Sequence, residues 1–215
     1  MCLHTERTAP MLITSLTQQK KNPERLNLYL DGEFYCGLNA ETAAVYRLKE
    51  GQEIDKGLLE ELTARDRYDS AMSAALMYAA RTGGKSRFDF EQKLTEYDEA
   101  TQRAVLARME GLGYINDALL AKETVSRALA KGEGRYMIKQ RLLSKHLDEE
   151  TVRDAMEEIS PEEETAAAVL ALKNAAARCT DTEPKKRRAR IYAALVRKGF
   201  PYDIVSAVTE QDHED

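Results

Sequence analysis

Residues 97–105 read Tyr-Asp-Glu-Ala-Thr-Gln-Arg-Ala-Val, and residues 147–155 read Leu-Asp-Glu-Glu-Thr-Val-Arg-Asp-Ala. Asp, Glu, Thr and Arg recur at a spacing of 50. A third copy follows 53 residues further on, where Leu142, Lys145, Leu147, Val152 and Ala155 become Leu195, Lys198, Phe200, Val205 and Val208. Amphipathic helices imitate one another by chance, so one match would carry little weight. Two related matches at nearly one period indicate a tandem helical repeat whose units stack on their neighbours. The reading is a mainly α protein of tandem three-helix modules in an elongated curved arrangement. The modules are placed at residues 67–116, 117–160 and 161–211.

Helix punctuation supports this. Ser160-Pro161-Glu162-Glu163 supplies an N-cap, a proline at N1 and a glutamate at N3, and Ser86-Arg87-Phe88-Asp89 is a weaker start of the same kind. The N-terminal stretch reads differently. Leu26, Leu28 and Leu30 alternate with polar neighbours, as do Phe34, Cys36 and Leu38 after Asp31-Gly32. A two-residue Asp-Gly turn would pair Leu30 with Glu33 and turn Phe34 outward. A three-residue connection, pairing Leu30 with Phe34 and Leu28 with Cys36, keeps the apolar face intact and is the expectation here. Met11–Leu16 supplies a third strand, Asn22-Pro23 the turn after it, and Asn39 the cap of a short helix that ends before Gly51. Residues 11–66 are therefore a small β-hairpin region with short helices, between a flexible tail at 1–10 and the modules; 212–215 form a second tail.

Composition narrows the function. Cys2, Cys36 and Cys179 are far apart and odd in number, and His4, His146 and His213 are isolated, so neither a disulfide framework nor a metal site is expected. The N-terminus lacks an apolar signal core, and the longest weakly polar run, Ala71–Ala80, is too short for a bilayer; a cytoplasmic protein without membrane contact is expected. Ala79–Ser86 satisfies a relaxed phosphate-loop pattern, but an alanine-rich helix, not a strand, leads into it. Gly83-Gly84 then reads as a helix stop and Ser86 as a new cap. No nucleophile elbow, kinase signature or dinucleotide fingerprint is present, so no enzyme and no cofactor are expected.

The net charge of −5 hides segregation. Residues 121–145 hold seven bases against two acids, and 184–198 hold seven bases with no carboxylate to offset them. Between them, 147–165 carries nine carboxylates and only Arg153. Screening acts over roughly 8 Å at physiological salt, so a partner meets these local fields and not the average.

One further run is specific. Gly111-Leu-Gly-Tyr-Ile-Asn-Asp117 is followed by Val125, Arg127, Lys131-Gly-Glu-Gly-Arg135 and the apolar helix Ile138–Leu142. It resembles the RecX family of regulators of the RecA recombinase. Ser86–Leu94 resembles that family's first module, Arg197-Lys-Gly-Phe-Pro-Tyr-Asp-Ile204 its closing helix pair, and Arg25–Leu38 the extension of longer members. His146 stands where the family favours glycine, and Leu119-Leu120 where it favours an aromatic residue and alanine.

The resemblance implies a protein of DNA repair, recombination and the SOS response. It would bind the RecA–single-stranded DNA filament and restrain its ATPase, strand-exchange and co-protease activities. Arg127, Lys131, Arg135, Lys139 and Lys145 in the second module, and Lys185, Lys186, Arg187, Arg190 and Arg197 in the third, are the candidate filament and DNA contacts. Such cations would neutralise phosphates without reading sequence. Tyr136, beside Arg135, is expected as a partly buried core tyrosine, with stacking on a base as the alternative. A monomer is expected. The rival reading is a stand-alone nucleic-acid-binding protein of helix-turn-helix type, which would want amide-rich recognition helices.

Overall fold

The computed structural model describes residues 9–81 and 83–211. The tail readings for 1–8 and 212–215, with Cys2, His4 and His213, lie outside the described residues. The chain forms two compact units, one from residues up to 81 together with 91–111, the other from 82–90 together with 112 onward.

The first unit begins with β1 (Met11–Gln18), β2 (Arg25–Leu30) and β3 (Glu33–Asn39), followed by helix α1 (Ala40–Val45) and a two-residue strand β4 (Glu53–Ile54). The strands lie in the order β3-β2-β1-β4, all antiparallel. The turn between β2 and β3 corrects the sequence reading. It has two residues, Asp31 and Gly32, both at positive φ (51° and 88°), as a type I′ turn requires. Leu30 therefore faces Glu33 and Tyr29 faces Phe34. A bulge at Tyr35 then restores the register, so that Leu28 does pair with Cys36. Phe34 is left exposed, its ring 5.8 Å from that of Tyr29. Ile13, Leu28, Leu30, Leu38 and Ile54 form the core of this sheet with Leu59 and Leu62.

Those two leucines belong to α2 (Lys56–Ala79), a single helix of 24 residues. It runs straight through the boundary expected after residue 66, because Asp66 is needed on the sheet side. Its carboxylate accepts from the Asn39 backbone N–H and from Arg25 Nη2 at 3.3 Å, with only 9% of its side chain exposed. Asn39 starts α1 as expected but does not cap it through its side chain; its amide donates to Ser70 Oγ at 3.2 Å. Helix α2 also packs against α4 (Glu99–Gly111), where Val105 and Met109 are buried.

Between them comes α3 (Arg87–Lys93). Gly83 has φ +96°, and Ser86 and Asp89 cap one another, the Ser86 N–H donating to Asp89 Oδ2 at 3.0 Å and the Asp89 N–H to Ser86 Oγ at 3.3 Å. A helix leads into this glycine loop, as its composition indicated.

The second unit contains two complete three-helix modules. Helices α5 (Asp117–Leu129), α6 (Arg135–Leu143) and α7 (Glu149–Glu157) enclose Leu120, Val125, Ile138, Leu142, Leu147 and Val152. Helices α8 (Pro161–Arg178), α9 (Pro184–Arg197) and α10 (Tyr202–Gln211) enclose Leu172, Ile191, Leu195, Phe200 and Val205. Every apolar position of the 53-residue repeat is buried in both copies. The 50-residue repeat is a repeat of caps. Asp98 accepts from the Thr101 N–H and Oγ1 at 3.0 and 2.9 Å, and Asp148 from the Thr151 N–H and Oγ1 at 2.8 and 2.7 Å.

The Thr101 and Thr151 backbone N–H groups, then their hydroxyls, hold the Asp98 and Asp148 carboxyls below the ordinary aspartate range. A group depressed on folding stabilises the protein fully above its unfolded pKa, about 3.9, and that share is lost as pH falls through the folded value. Urea unfolding midpoints should therefore hold steady from pH 7 to about 5 and fall below about pH 4, less steeply in Asp98→Asn/Asp148→Asn. A double variant with an unaltered acid limb would remove these caps from the explanation.

The two modules meet through glycines. The Gly134 N–H donates to the Lys198 carbonyl at 2.8 Å, and the Tyr136 N–H to the Gly199 carbonyl at 3.1 Å. A Cβ on Gly134 would stand 2.4 Å from the Gly199 carbonyl carbon, and one on Gly199 would stand 2.6 Å from the Met137 nitrogen. In the preceding copy His146 takes the place of Gly199. It keeps the left-handed backbone (φ 55°) and stacks its ring on Phe88 at 4.2 Å.

Candidate nucleic-acid interface

The structure sorts the ten candidate cations by what already holds them. In the second module Arg127 pairs with Glu123 one turn back on α5, at 2.8 Å, with both side chains more than half exposed. Such a pair contributes about 0.3–0.5 kcal/mol and opens readily to a phosphate. Lys131 and Lys145 line a recess of about 350 Å³ together with Arg127, Arg141 and Ser144. Lys131, Lys139 and Lys145 make no ion pair among the described residues.

Arg135 departs from the expectation. Its Nε donates to Glu164 Oε2 at 2.7 Å, Nη1 to the Met156 carbonyl at 2.8 Å and Nη2 to the Ile159 carbonyl at 2.7 Å. Three donor directions are thus spent inside the protein, tying α6 to the end of α7 and the start of α8. Arg135 is a structural clamp, and the cation signal at this position came from a residue that faces a buried carboxylate. Tyr136 departs in the other direction: it is 65% exposed, because its neighbour Ile138 fills the core position.

Arg141, which the sequence did not single out, grips Glu133 with Nε and Nη2, the latter at 2.7 Å from Oε1. The Arg141 hydrogen bonds hold the Glu133 carboxyl below its usual range despite burial, so this turn keeps its charge pair at neutral pH.

In the third module Lys185, Arg188 and Arg197 are exposed and make no ion pair among the described residues. Lys186 and Arg190 are not the uncompensated pair the composition suggested. Carboxylates just outside the counted window reach back to them, Glu183 to Lys186 at 2.7 Å and Asp181 to Arg190 at 2.7 Å. Arg187 donates to the Cys179 and Ala176 carbonyls at 3.3 and 3.4 Å, closing the C-terminal turn of α8. Two weakly paired cation groups remain, one around the exposed Lys131 and the half-buried Lys145, the other on the exposed face of α9. Among the described residues no helix is long and apolar enough to cross a membrane.

Comparison with known proteins places this architecture. Residues 11–55 match the model of the regulatory protein RecX N-terminal domain, and residues 162–209 that of the third three-helix domain of RecX. The regulatory protein RecX of Clostridioides difficile is 28% identical over 198 residues, covering 92% of this chain and 93% of that protein. The chain is similar to RecX proteins along most of its length. The regulatory protein RecX of Bacillus subtilis is 27% identical over 201 residues, 93% of this chain and 76% of its own length. A crystal structure of regulatory protein RecX shares the fold with a TM-score of 0.66 at 23% identity, over 93% of this chain and 99% of that one. RecX from Lactobacillus salivarius superposes with a TM-score of 0.61 at 23% identity, over 68% of this chain and 97% of that one. Both matched regions meet element edges that the caps explain. The first stops at Asp55, which caps α2 through the Leu58 N–H at 2.8 Å; the second starts one residue after Pro161 at the head of α8.

Proposed function

We propose that this protein binds the RecA–single-stranded DNA filament in the cytoplasm, as a monomer, and restrains the ATPase, strand-exchange and co-protease activities of RecA. One observation carries the reading on the DNA side. Lys139, Lys185, Arg188 and Arg197 stand on helices whose opposite faces are buried, and Lys131 and Lys145 in the turns after α5 and α6, all without ion pairs among the described residues. Cations held on a rigid frame and not already neutralised release counterions from the phosphate backbone on binding. The residues matched to the RecX models and the relatives named regulatory protein RecX support the RecA side.

Lys131→Glu/Lys145→Glu and Lys185→Glu/Arg188→Glu test it, since these side chains carry none of the core. Each pair should bind single-stranded DNA more weakly, with the slope of log affinity against log salt shallower by about 1.4, at roughly 0.7 per lost phosphate contact. Each should also inhibit the RecA ATPase less. Wild-type inhibition and an unaltered salt slope in both folded variants would retire the basic faces.

A further inference from the structure

Between α8 and α9 lies an open recess of about 420 Å³, within the size range of small-ligand sites. Its floor is apolar, with Ala171 and Ile191 nearly inaccessible and Ala194 partly covered. Its rim is cationic. Arg178 comes from the last turn of α8, Arg190 and Arg197 from α9, and Lys198 from the residue that ends α9. Among the described residues no carboxylate lines it, in a protein whose net charge is −5. Arg178 and Arg197 make no ion pair among the described residues, while Arg190 is held by the partly covered Asp181 at 2.7 Å.

We infer that this α8–α9 recess holds one nucleotide of a single-stranded nucleic acid, its phosphodiester on the Arg178 and Arg197 guanidinia and its base against the alanine–isoleucine floor. The inference rests on the proposed single-strand contact and deepens it. Guanidinium is suited to this task because its planar fork meets two phosphate oxygens at once. A bare phosphate site would gain nothing from an apolar floor, whereas a base, with hydrophobic faces, is desolvated there. The same site is silent about base identity, since alanine and isoleucine side chains read no edges.

Cys179 lines the recess, half-buried, and serves as a reporter; Cys36, in β3 of the other unit, is the internal control. The experiment is the alkylation rate of each thiol on the full-length protein, measured by peptide mass spectrometry while oligo(dT) binding is followed separately by fluorescence anisotropy. Oligo(dT) should slow Cys179 at least about tenfold at saturation and leave Cys36 unchanged. An abasic oligomer of equal length, dTMP, and poly-glutamate should each need about tenfold or more higher concentration for the same protection, roughly the weight of one base contact. Arg178→Glu/Arg197→Glu should lose protection while Cys36 reactivity and helicity stay at wild type. Oligo(dT) that binds without protecting Cys179 overturns the recess and leaves the proposed function standing. Equal protection by the abasic oligomer or by poly-glutamate overturns the base seat, equal protection by dTMP makes the recess a free-nucleotide site, and no oligo(dT) binding at all removes both readings.

Discussion

Gly134→Ala is expected to destabilise the protein by about 3 kcal/mol, and Gly199→Ala by at least as much, on the scale of severe overpacking and strain. The methyl added at position 134 would sit 2.4 Å from the backbone of Gly199 and Phe200, where no side chain can swing aside. At Gly199 the new Cβ would stand 2.6 Å from the Met137 nitrogen, and φ of +87° adds the left-handed penalty of about 1–2 kcal/mol. The two changes strike one junction, so the double variant should fall short of their sum. Gly111→Ala is the control. Nothing lies within 4 Å of its Cβ at the end of α4, so it should be neutral or stabilise by up to about 1 kcal/mol. Urea denaturation followed by circular dichroism reads all four variants. Wild-type midpoints for both Gly134→Ala and Gly199→Ala would mean that the second and third modules do not dock through these turns.

Arg135→Ala should cost about 3 kcal/mol without a specific effect on DNA affinity. Removing the guanidinium strands Glu164, whose side chain is 7% exposed and whose Oε1 already has no hydrogen-bond partner, and it orphans the Met156 and Ile159 carbonyls. Breaking a buried pair from one side costs about 3–5 kcal/mol, and the 36% exposure of the arginine places this case at the lower end. Arg135→Ala/Glu164→Met should recover a large part of the loss, because the uncompensated carboxylate goes with its partner. A fully stable Arg135→Ala that binds single-stranded DNA several-fold more weakly would return this residue to the phosphate-contacting set.

The contrast between these residues and the lysines marks what the sequence could convey. The repeat was legible because it is local physics: the Asp98–Thr101 and Asp148–Thr151 caps lie within one turn, and the buried positions Leu142/Leu195 and Val152/Val205 follow helical spacing. The modules and the strand region followed from these patterns and from the alternation around Asp31-Gly32. The hairpin register did not, because a bulge at Tyr35 compensates the two-residue turn, and a pattern of alternation cannot show a residue dropped from it. The length of α2 was also hidden; Asp66 reads as an ordinary surface acid until Arg25, 41 residues away, is brought beside it.

The candidate site was legible as two basic stretches, less so residue by residue. Counting charge within a window overlooked Asp181 and Glu183 at its edge, which pair with Arg190 and Lys186. It also could not separate Arg135, whose partner lies 29 residues downstream, from Lys139 on the next turn, which makes no ion pair among the described residues. Arg178 was passed over because it is isolated in sequence at the end of α8. Only the packing of α9 beside it brings it to Arg197 across one recess.

The RecA ATPase on single-stranded DNA, titrated with this protein at fixed salt, decides whether the regulatory reading holds. The rate should fall in a saturable manner, and Lys131→Glu/Lys145→Glu should shift the titration to higher concentration while leaving its end point low. An ATPase rate that stays at its starting value through saturating protein, with the protein folded by circular dichroism, would contradict RecA regulation and leave only a fold that binds single strands.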